Sequence, residues 1–437
     1  MAGSAARKSA DVLVIGAGVI GLSTAYFLAR SGAAVTLLER GQPGRETSKG
    51  NCGLITPSHA DPLTQPSSLK AAAGALFDAG APLRIAPTLS PSRIGWLLGF
   101  ARRCTEGHRA KAARARSALL RQTRRLIEEM VREEQLDGAF SPGGLTTVFR
   151  TQAALEHDVE AHEQMRELGV RHQVWSGEEV REREPLLREG LAGAIYAIDD
   201  AHIDPGRYVA SLAEAVRRQG VSVETDVEVK RITAGASNAG SSGSNGSSVS
   251  AAGAVQVETT KGEYTAEHLV LAAGPWATAL ARPLGARLPV EPAKGYSITW
   301  PVAVEPMHTP LYFFEPKVVA TPWPHGFRLG STMEFCGFDA SLNRGRLDKL
   351  LEGARGFLDH PLDLGPGEDW FGWRPMSVDE VPLIGPLQRA PRVWLGCGHG
   401  VLGMSQSAAT GELLAGMIGG NTPAIDPAPY SPSRFGL

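Results

Sequence analysis

An apolar run of strand type, Val12–Ile15, passes directly into Gly16-Ala17-Gly18-Val19-Ile20-Gly21, and a helical pattern through Tyr26, Phe27, Leu28 and Arg30 follows at once. Strand, tight turn and helix in that order constrain the fold more than anything else in the chain. Gly16 permits the turn, Gly18 lets a pyrophosphate approach the backbone, and Gly21 lets helix and strand pack closely. The helix start at Val19 and Ile20 leaves N–H groups unpaired. A second strand, Ala34–Leu38, ends in Glu39, 18 residues beyond Gly21. At that spacing an acid reaches the ribose hydroxyls of a dinucleotide and disfavours a 2′-phosphate. These features predict a Rossmann-type fold. NAD and FAD both use the fingerprint, so it leaves the choice between them open.

A chain of 437 residues is too long for one simple core, and two domains or a large interleaved pair are expected. With 44 basic against 46 acidic residues, the net charge of -2 gives no electrostatic reason to expect nucleic acid. Small-molecule chemistry fits better. Cys52, Cys104, Cys336 and Cys397 are scattered without a C-x-x-C pair, which indicates neither a zinc site nor a disulfide framework, and no metal is expected. No apolar leader precedes the first strand and no run is apolar enough to span a bilayer, so a cytoplasmic protein is expected.

Further along, Arg207–Gln219 reads as an amphipathic helix with Val209, Leu212, Ala213 and Val216 on one stripe, stopped by Gly220 before a strand from Val221. Val227–Ile232 and Val255–Thr259 read as strands. Leu269–Gly274 reads as a buried strand whose small last residues suit passage beneath a cofactor. Gly235–Gly253, almost all Gly, Ser, Ala and Asn, is expected to be a flexible loop at a hairpin tip. Arg109–Arg132 is helical and basic, with Leu119, Leu120, Leu126, Ile127 and Met130 as its apolar residues, and its charges are expected to form a solvated face. Before it, Leu76-Phe77, Ile85 and Ile94–Phe100, which contains Trp96, form apolar clusters near Arg102 and Arg103. These fit core packing or peripheral docking on the inner face of an anionic membrane.

Several other motifs carry a resemblance. They are Glu39-Arg40; Glu46-Thr47-Ser48 leading to Asn51-Cys52-Gly53; Ile203-Asp204-Pro205 before a helix; Ala272-Ala273-Gly274-Pro275-Trp276; Lys294-Gly295-Tyr296-Ser297; Gly372-Trp373-Arg374-Pro375-Met376; and Gly398-His399-Gly400. With these the chain resembles, end to end, the D-amino-acid oxidase superfamily of FAD-dependent oxidoreductases, and looks most like its bacterial D-amino-acid dehydrogenase branch. The resemblance implies an α/β and α+β architecture. A Rossmann-type FAD-binding domain from 8–60, 190–290 and 370–437 would interleave with a substrate domain, 61–189 and 291–369, built on an antiparallel sheet. The FAD would be noncovalent, because members that bind it covalently use a cysteine just after the arginine region, where this chain has Met376.

By the same resemblance Arg40 follows the ribose-binding Glu39, the Thr47 and Ser48 hydroxyls meet the pyrophosphate, and the backbone around Asn51, Gly53 and Leu54 faces the flavin. Val227 faces the adenine, and Ala273, Gly274 and Trp276 lie beside the nucleotide. Gly398, His399, Gly400, Val401 and Gly403, ahead of a helix from about Ser405 to Ile418, would face the pyrimidine oxygen of the flavin. His399 can equally be a structural residue pinning that loop.

In relatives an arginine in the Gly-x-Arg-Pro setting clamps the amino-acid carboxylate, and a guanidinium fork at Arg374 suits that planar anion. The structural alternative is an ion pair with Asp379 or Glu380. Tyr312 and His59 would border the substrate side chain. The implied reaction is oxidative deamination of a D-amino acid: hydride leaves the alpha carbon for flavin N5, the imine becomes a 2-oxo acid, and electrons pass to a quinone or another carrier. No side-chain acid or base is required, because positioning supplies much of the rate. Departures at Asn51–His59 and at Tyr312 leave D-proline or a D-hydroxyproline open as substrate. Glycine or sarcosine oxidation, and a flavoprotein subunit of a hetero-oligomeric dehydrogenase with Arg109–Arg132 as its interface, are the alternatives.

Overall fold

The computed structural model describes residues 8–69, 82–86, 90–234, 253–359 and 364–437. The Leu76-Phe77 pair and all of the expected 235–253 loop except Gly253 lie outside the described residues.

The first strand, Lys8–Ile15, has its last four residues buried. It pairs in parallel with Val35–Leu38 on one side and Gly262–Leu271 on the other. Ser222–Glu224 extends the sheet beyond Val35–Leu38, and Ala390–Cys397 lies parallel to the end of Gly262–Leu271. A parallel strand covered on both faces reads as continuous apolar sequence. Here Val12 and Val14 enter one core, with the Val19–Arg30 and Gly403–Ile418 helices, while Leu13 and Ile15 enter the other. The hairpin of Val229–Ala234 and Val255–Thr259 continues antiparallel from the start of Gly262–Leu271. The expected amphipathic helix spans Pro205–Arg218, with Asp204 accepting from the Gly206 and Arg207 N–H groups at its start.

The second sheet has nine strands, in the order Glu368–Ser377, Val290–Trp300, Gly326–Phe335, Val318–Trp323, Leu311–Phe313, Leu145–Phe149, Gly193–Ala197 and His172–Ser176, with Leu83–Ile85 beside Gly326–Phe335. It is antiparallel except at Leu311–Phe313 with Leu145–Phe149 and at Leu83–Ile85 with Gly326–Phe335. Gly193–Ala197, in a segment expected in the nucleotide domain, belongs to this sheet.

One irregularity shapes the site. Gly295 pairs with Met333 and Ser297 with Gly330, so Ser331 and Thr332 face Tyr296 alone. This bulge holds Ser331 at φ 116°, a conformation costly for a residue with a side chain.

The basic helix runs Glu106–Glu134, started by Thr105 accepting the His108 N–H. Its apolar residues are buried as expected, but so is Arg116. Among the described residues no helix is long and apolar enough to cross a membrane, and no cluster of ligating side chains suits a metal ion.

Candidate active site

A cavity of about 940 Å³ runs from the carboxyl ends of the parallel strands to the face of the second sheet. Of the residues expected at the site, Gly16, Gly18, Val19, Ile20, Glu39, Arg40, Thr47, Ser48, Asn51, Leu54, Val227, Ala273, Gly274 and Trp276 line it. So do His399, Gly400, Val401, Gly403, Arg374, Tyr312 and His59. Gly21, Gly53 and Gly398 stand behind its wall. Their task is close packing: a Cβ on Gly21 would lie 1.8 Å from the Gly16 carbonyl oxygen, and one on Gly53 would lie 2.0 Å from that of Ile203.

At the nucleotide end, Gly16 takes φ 102° and donates its N–H to the Leu38 carbonyl at 2.9 Å. The N-cap residue of the helix that follows is Gly18, which offers no side chain, and the first turn holds no acid, so the positive end beyond Val19 is left for an anion. Ser48 Oγ accepts from the Val19 N–H at 3.1 Å, which holds the hydroxyl at that helix start. The Thr47 hydroxyl donates to the Trp373 carbonyl at 2.7 Å, leaving only its lone pairs for a ligand. The Glu39 carboxylate accepts from Ala17 N–H at 2.8 Å and Gly41 N–H at 2.9 Å, so this acid orders the loop as well as facing the cavity. The N–H of Val227 is taken by the Glu39 carbonyl at 2.9 Å. Only the Val227 carbonyl could therefore meet an adenine. The Arg40 guanidinium lies 3.9 Å from the Trp276 ring centre and pairs with Glu46 at 2.8 Å. An uncapped helix start, an acid at the second strand end and a long cavity together fit a flavin dinucleotide.

At the other helix start, His399 is buried and its Nε2 lies 2.9 Å from Thr410 Oγ1. Thr410 gives its own proton to the Gln406 carbonyl at 2.8 Å, so the His399 Nε2–H is the donor. Burial lowers the His399 pKa to about 3 and the ring is neutral. The positive end offered to a ligand here is therefore that of the uncapped Gly403–Ile418 helix and not an imidazolium.

At the far end, Arg374 projects from the Glu368–Ser377 strand across Gly295, where an added Cβ would lie 2.3 Å from its guanidinium carbon. One of its nitrogens donates to the Thr332 carbonyl at 2.9 Å, the carbonyl that the bulge presents. The expected alternative partners are occupied elsewhere. Asp379 pairs with Arg434 at 2.8 Å and Glu380 with Arg116 at 2.9 Å. Among the described residues Arg374 has no carboxylate partner. Burial presses its pKa down, yet a guanidinium keeps its charge, so the cavity holds an uncompensated cation.

Several residues at this end carried no motif. Arg116 and Glu380 line or back the cavity as a buried pair, and Arg116 also donates to the His59 carbonyl at 3.0 Å. The Lys317 ammonium lies 3.4 Å from the Phe314 ring centre; burial lowers its pKa, opposed by nearby Asp158. His59 and Tyr312 face each other with ring centres 6.0 Å apart. Burial raises both the Tyr312 phenol and the Cys52 thiol, while Arg374 acts to lower the thiol. Arg116 could have been suspected from its place on the apolar stripe of its helix; nothing local marks Lys317.

The FAD-dependent oxidoreductase family DAO matches residues 11–417. A D-amino acid dehydrogenase of Chromohalobacter salexigens is 30% identical over 434 residues, 97% of this chain and 99% of its own length. That of Paramagnetospirillum magneticum is 33% identical over 434 residues, 97% and 98% of the two chains. Among solved structures, glycine oxidase from Geobacillus kaustophilus superposes with TM-score 0.75 at 23% identity, covering 97% of this chain and 98% of that one. L-proline dehydrogenase from P. horikoshii gives TM-score 0.75 at 18% identity, covering 98% of each. At these identities the solved structures speak for the fold.

Proposed function

Because the chain belongs to the DAO family of FAD-dependent oxidoreductases, we propose that it oxidises a D-amino acid to its imine, which water converts to a 2-oxo acid. The observation that carries this reading is Arg374, a cation within the cavity with no carboxylate partner among the described residues. A substrate carboxylate would supply the missing anion through two parallel charge-assisted bonds. Gly295 leaves room for the fork, and the Thr332 carbonyl fixes one arm of it. Tyr312 and His59 then border the remainder of the substrate. Trp96, Met333 and Phe335 contribute an apolar wall. FAD, held noncovalently, supplies the hydride acceptor, and the electrons pass on to a quinone or another carrier. The two sheets support a nucleotide domain drawn from the start, middle and end of the chain, with the substrate domain drawn from the segments between.

The test is the visible flavin spectrum of the purified protein mixed anaerobically with D- and L-alanine, D- and L-proline, cis-4-hydroxy-D-proline, glycine and sarcosine. Bleaching by D-isomers alone is expected, and the fastest of them names the substrate. Equal bleaching by L-isomers overturns the proposal.

A further inference from the structure

Beside the cavity a chain of three side chains leads inward from His59. Its Nδ1 lies 3.0 Å from Ser58 Oγ, and Ser58 Oγ lies 2.5 Å from Asp200 Oδ2. The other Asp200 oxygen accepts the Ser58 N–H at 3.0 Å, so the carboxylate grips this turn from both sides. Asp200 is 1% exposed. The opposite edge of the imidazole, Nε2, makes no hydrogen bond to the described protein, and His59 lines the cavity with Arg374 and Tyr312.

Proton counting fixes what this chain can do. Ser58 has one hydroxyl proton. When Asp200 is ionised that proton points to it, Ser58 Oγ accepts from His59 Nδ1–H, and Nε2 presents a lone pair to the cavity. When Asp200 is protonated each bond reverses, and the same imidazole presents Nε2–H. We propose that His59, Ser58 and Asp200 form a proton relay that takes the ammonium proton of the bound substrate and delivers it to Asp200. The relay rests on the reading of the site as one that oxidises an amino acid, and goes beyond the expectation that no acid or base is needed.

The step balances. A substrate N–H bond breaks as Nε2–H forms; Nδ1–H breaks as a new Ser58 O–H forms; the old Ser58 O–H breaks as Asp200 Oδ2–H forms. One proton moves and no electrons are transferred. An ammonium and a carboxylate become a neutral amine and a neutral acid, which a low-dielectric site favours. The imidazole starts and ends neutral. That matters because burial, with His162, Arg116 and Lys317 adding to it, lowers the His59 pKa to about 3, so an imidazolium would be a poor intermediate. Asp200 suits the end of the relay, since burial raises its pKa to about 7 against the two bonds from Ser58. The charged and titratable groups around the relay are Arg116 and Arg124 on the long helix, Asp158 and His162 on the Gln152–Met165 helix, Lys317 and Tyr312 across the cavity, and Asp61 and Asp199 in adjoining turns. His59 alone would touch substrate; Ser58 and Asp200 act through it as positioning residues.

The experiment follows the second-order rate of anaerobic flavin reduction against pH, with D-alanine or D-proline, whichever is faster, for the wild type, Ser58→Ala and Asp200→Asn. The wild-type acid limb is expected near the Asp200 titration. In both variants it should move up to the ammonium pKa of the free substrate, lowering the rate about tenfold for each pH unit between them, and the curves should converge in alkali. A uniform loss at all pH, or an unmoved limb, overturns the relay. The second readout is ¹⁵N-histidine NMR of the FAD-loaded protein, assigned with His59→Gln. Nδ1–H above the Asp200 titration and Nε2–H below it are expected, with no exchange of tautomer in Asp200→Asn; a single tautomer throughout in the wild type overturns the proposal. If no amino acid bleaches the flavin while the tautomer still switches, the functional reading has failed and the proton chain has not.

Discussion

Replacing Arg374 separates substrate from cofactor. In Arg374→Ala the carboxylate of a bound amino acid loses its counter-charge inside the cavity, and breaking a buried pair costs about 3–5 kcal/mol. At about 1.4 kcal/mol per tenfold, the rate of flavin reduction at low substrate should fall by roughly a hundredfold to a few thousandfold. Arg374→Lys keeps the charge but loses the fork, and the loss of one charged hydrogen bond, about 1.5–3 kcal/mol, predicts a fall of roughly ten- to a hundredfold. The free protein should not suffer in proportion, because among the described residues Arg374 has no carboxylate partner to abandon and what is lost is the bond to the Thr332 carbonyl. Gly295→Ala should reproduce the kinetic effect with Arg374 intact, since its Cβ would lie 2.3 Å from the guanidinium carbon and push the fork aside. The assay is anaerobic stopped-flow reduction, with the oxidised flavin spectrum recorded first. Loss of FAD from Arg374→Ala, or substrate saturation at unchanged concentration, would refute the assignment.

Glu39→Ala should weaken FAD retention by tenfold or more, because the carboxylate both faces the nucleotide end and holds the Ala17 and Gly41 N–H groups; flavin absorbance after dialysis measures it, and unchanged retention would contradict the role. Arg116→Met should destabilise the fold by about 3–5 kcal/mol by stranding buried Glu380. Arg116→Met with Glu380→Gln should recover part of that, and denaturant unfolding of the two variants decides whether the pair, and not the arginine's bulk, is responsible.

The nucleotide half was legible from sequence because its parts are local. Gly16 to Gly21 joins one strand to one helix, and Glu39 ends the very next strand, so spacing alone carried the geometry. The expected strands after Val221 likewise occur as Ser222–Glu224, Val229–Ala234 and Val255–Thr259, within a few residues. Arg374 was legible only through resemblance to a family, since nothing in Gly-Trp-Arg-Pro says what the arginine will face. The solvated reading of the basic helix fails at Arg116, whose charge is buried because Glu380, 264 residues away, arrives beside it.

The chain order of apolar runs, glycines and one acid was therefore enough to dictate a dinucleotide fold, since those residues interact with near neighbours and backbone sterics set their geometry. Which charges are paired was not contained in that order. Ser58 meets Asp200 across 142 residues, and Thr332 reaches Arg374 only because a bulge turns its carbonyl toward the neighbouring strand. A side chain's chemistry depends on what excludes water around it and which partner arrives first. Packing of distant segments settles both, and it left Arg374 with no carboxylate partner among the described residues and Asp200 buried at the edge of the same cavity.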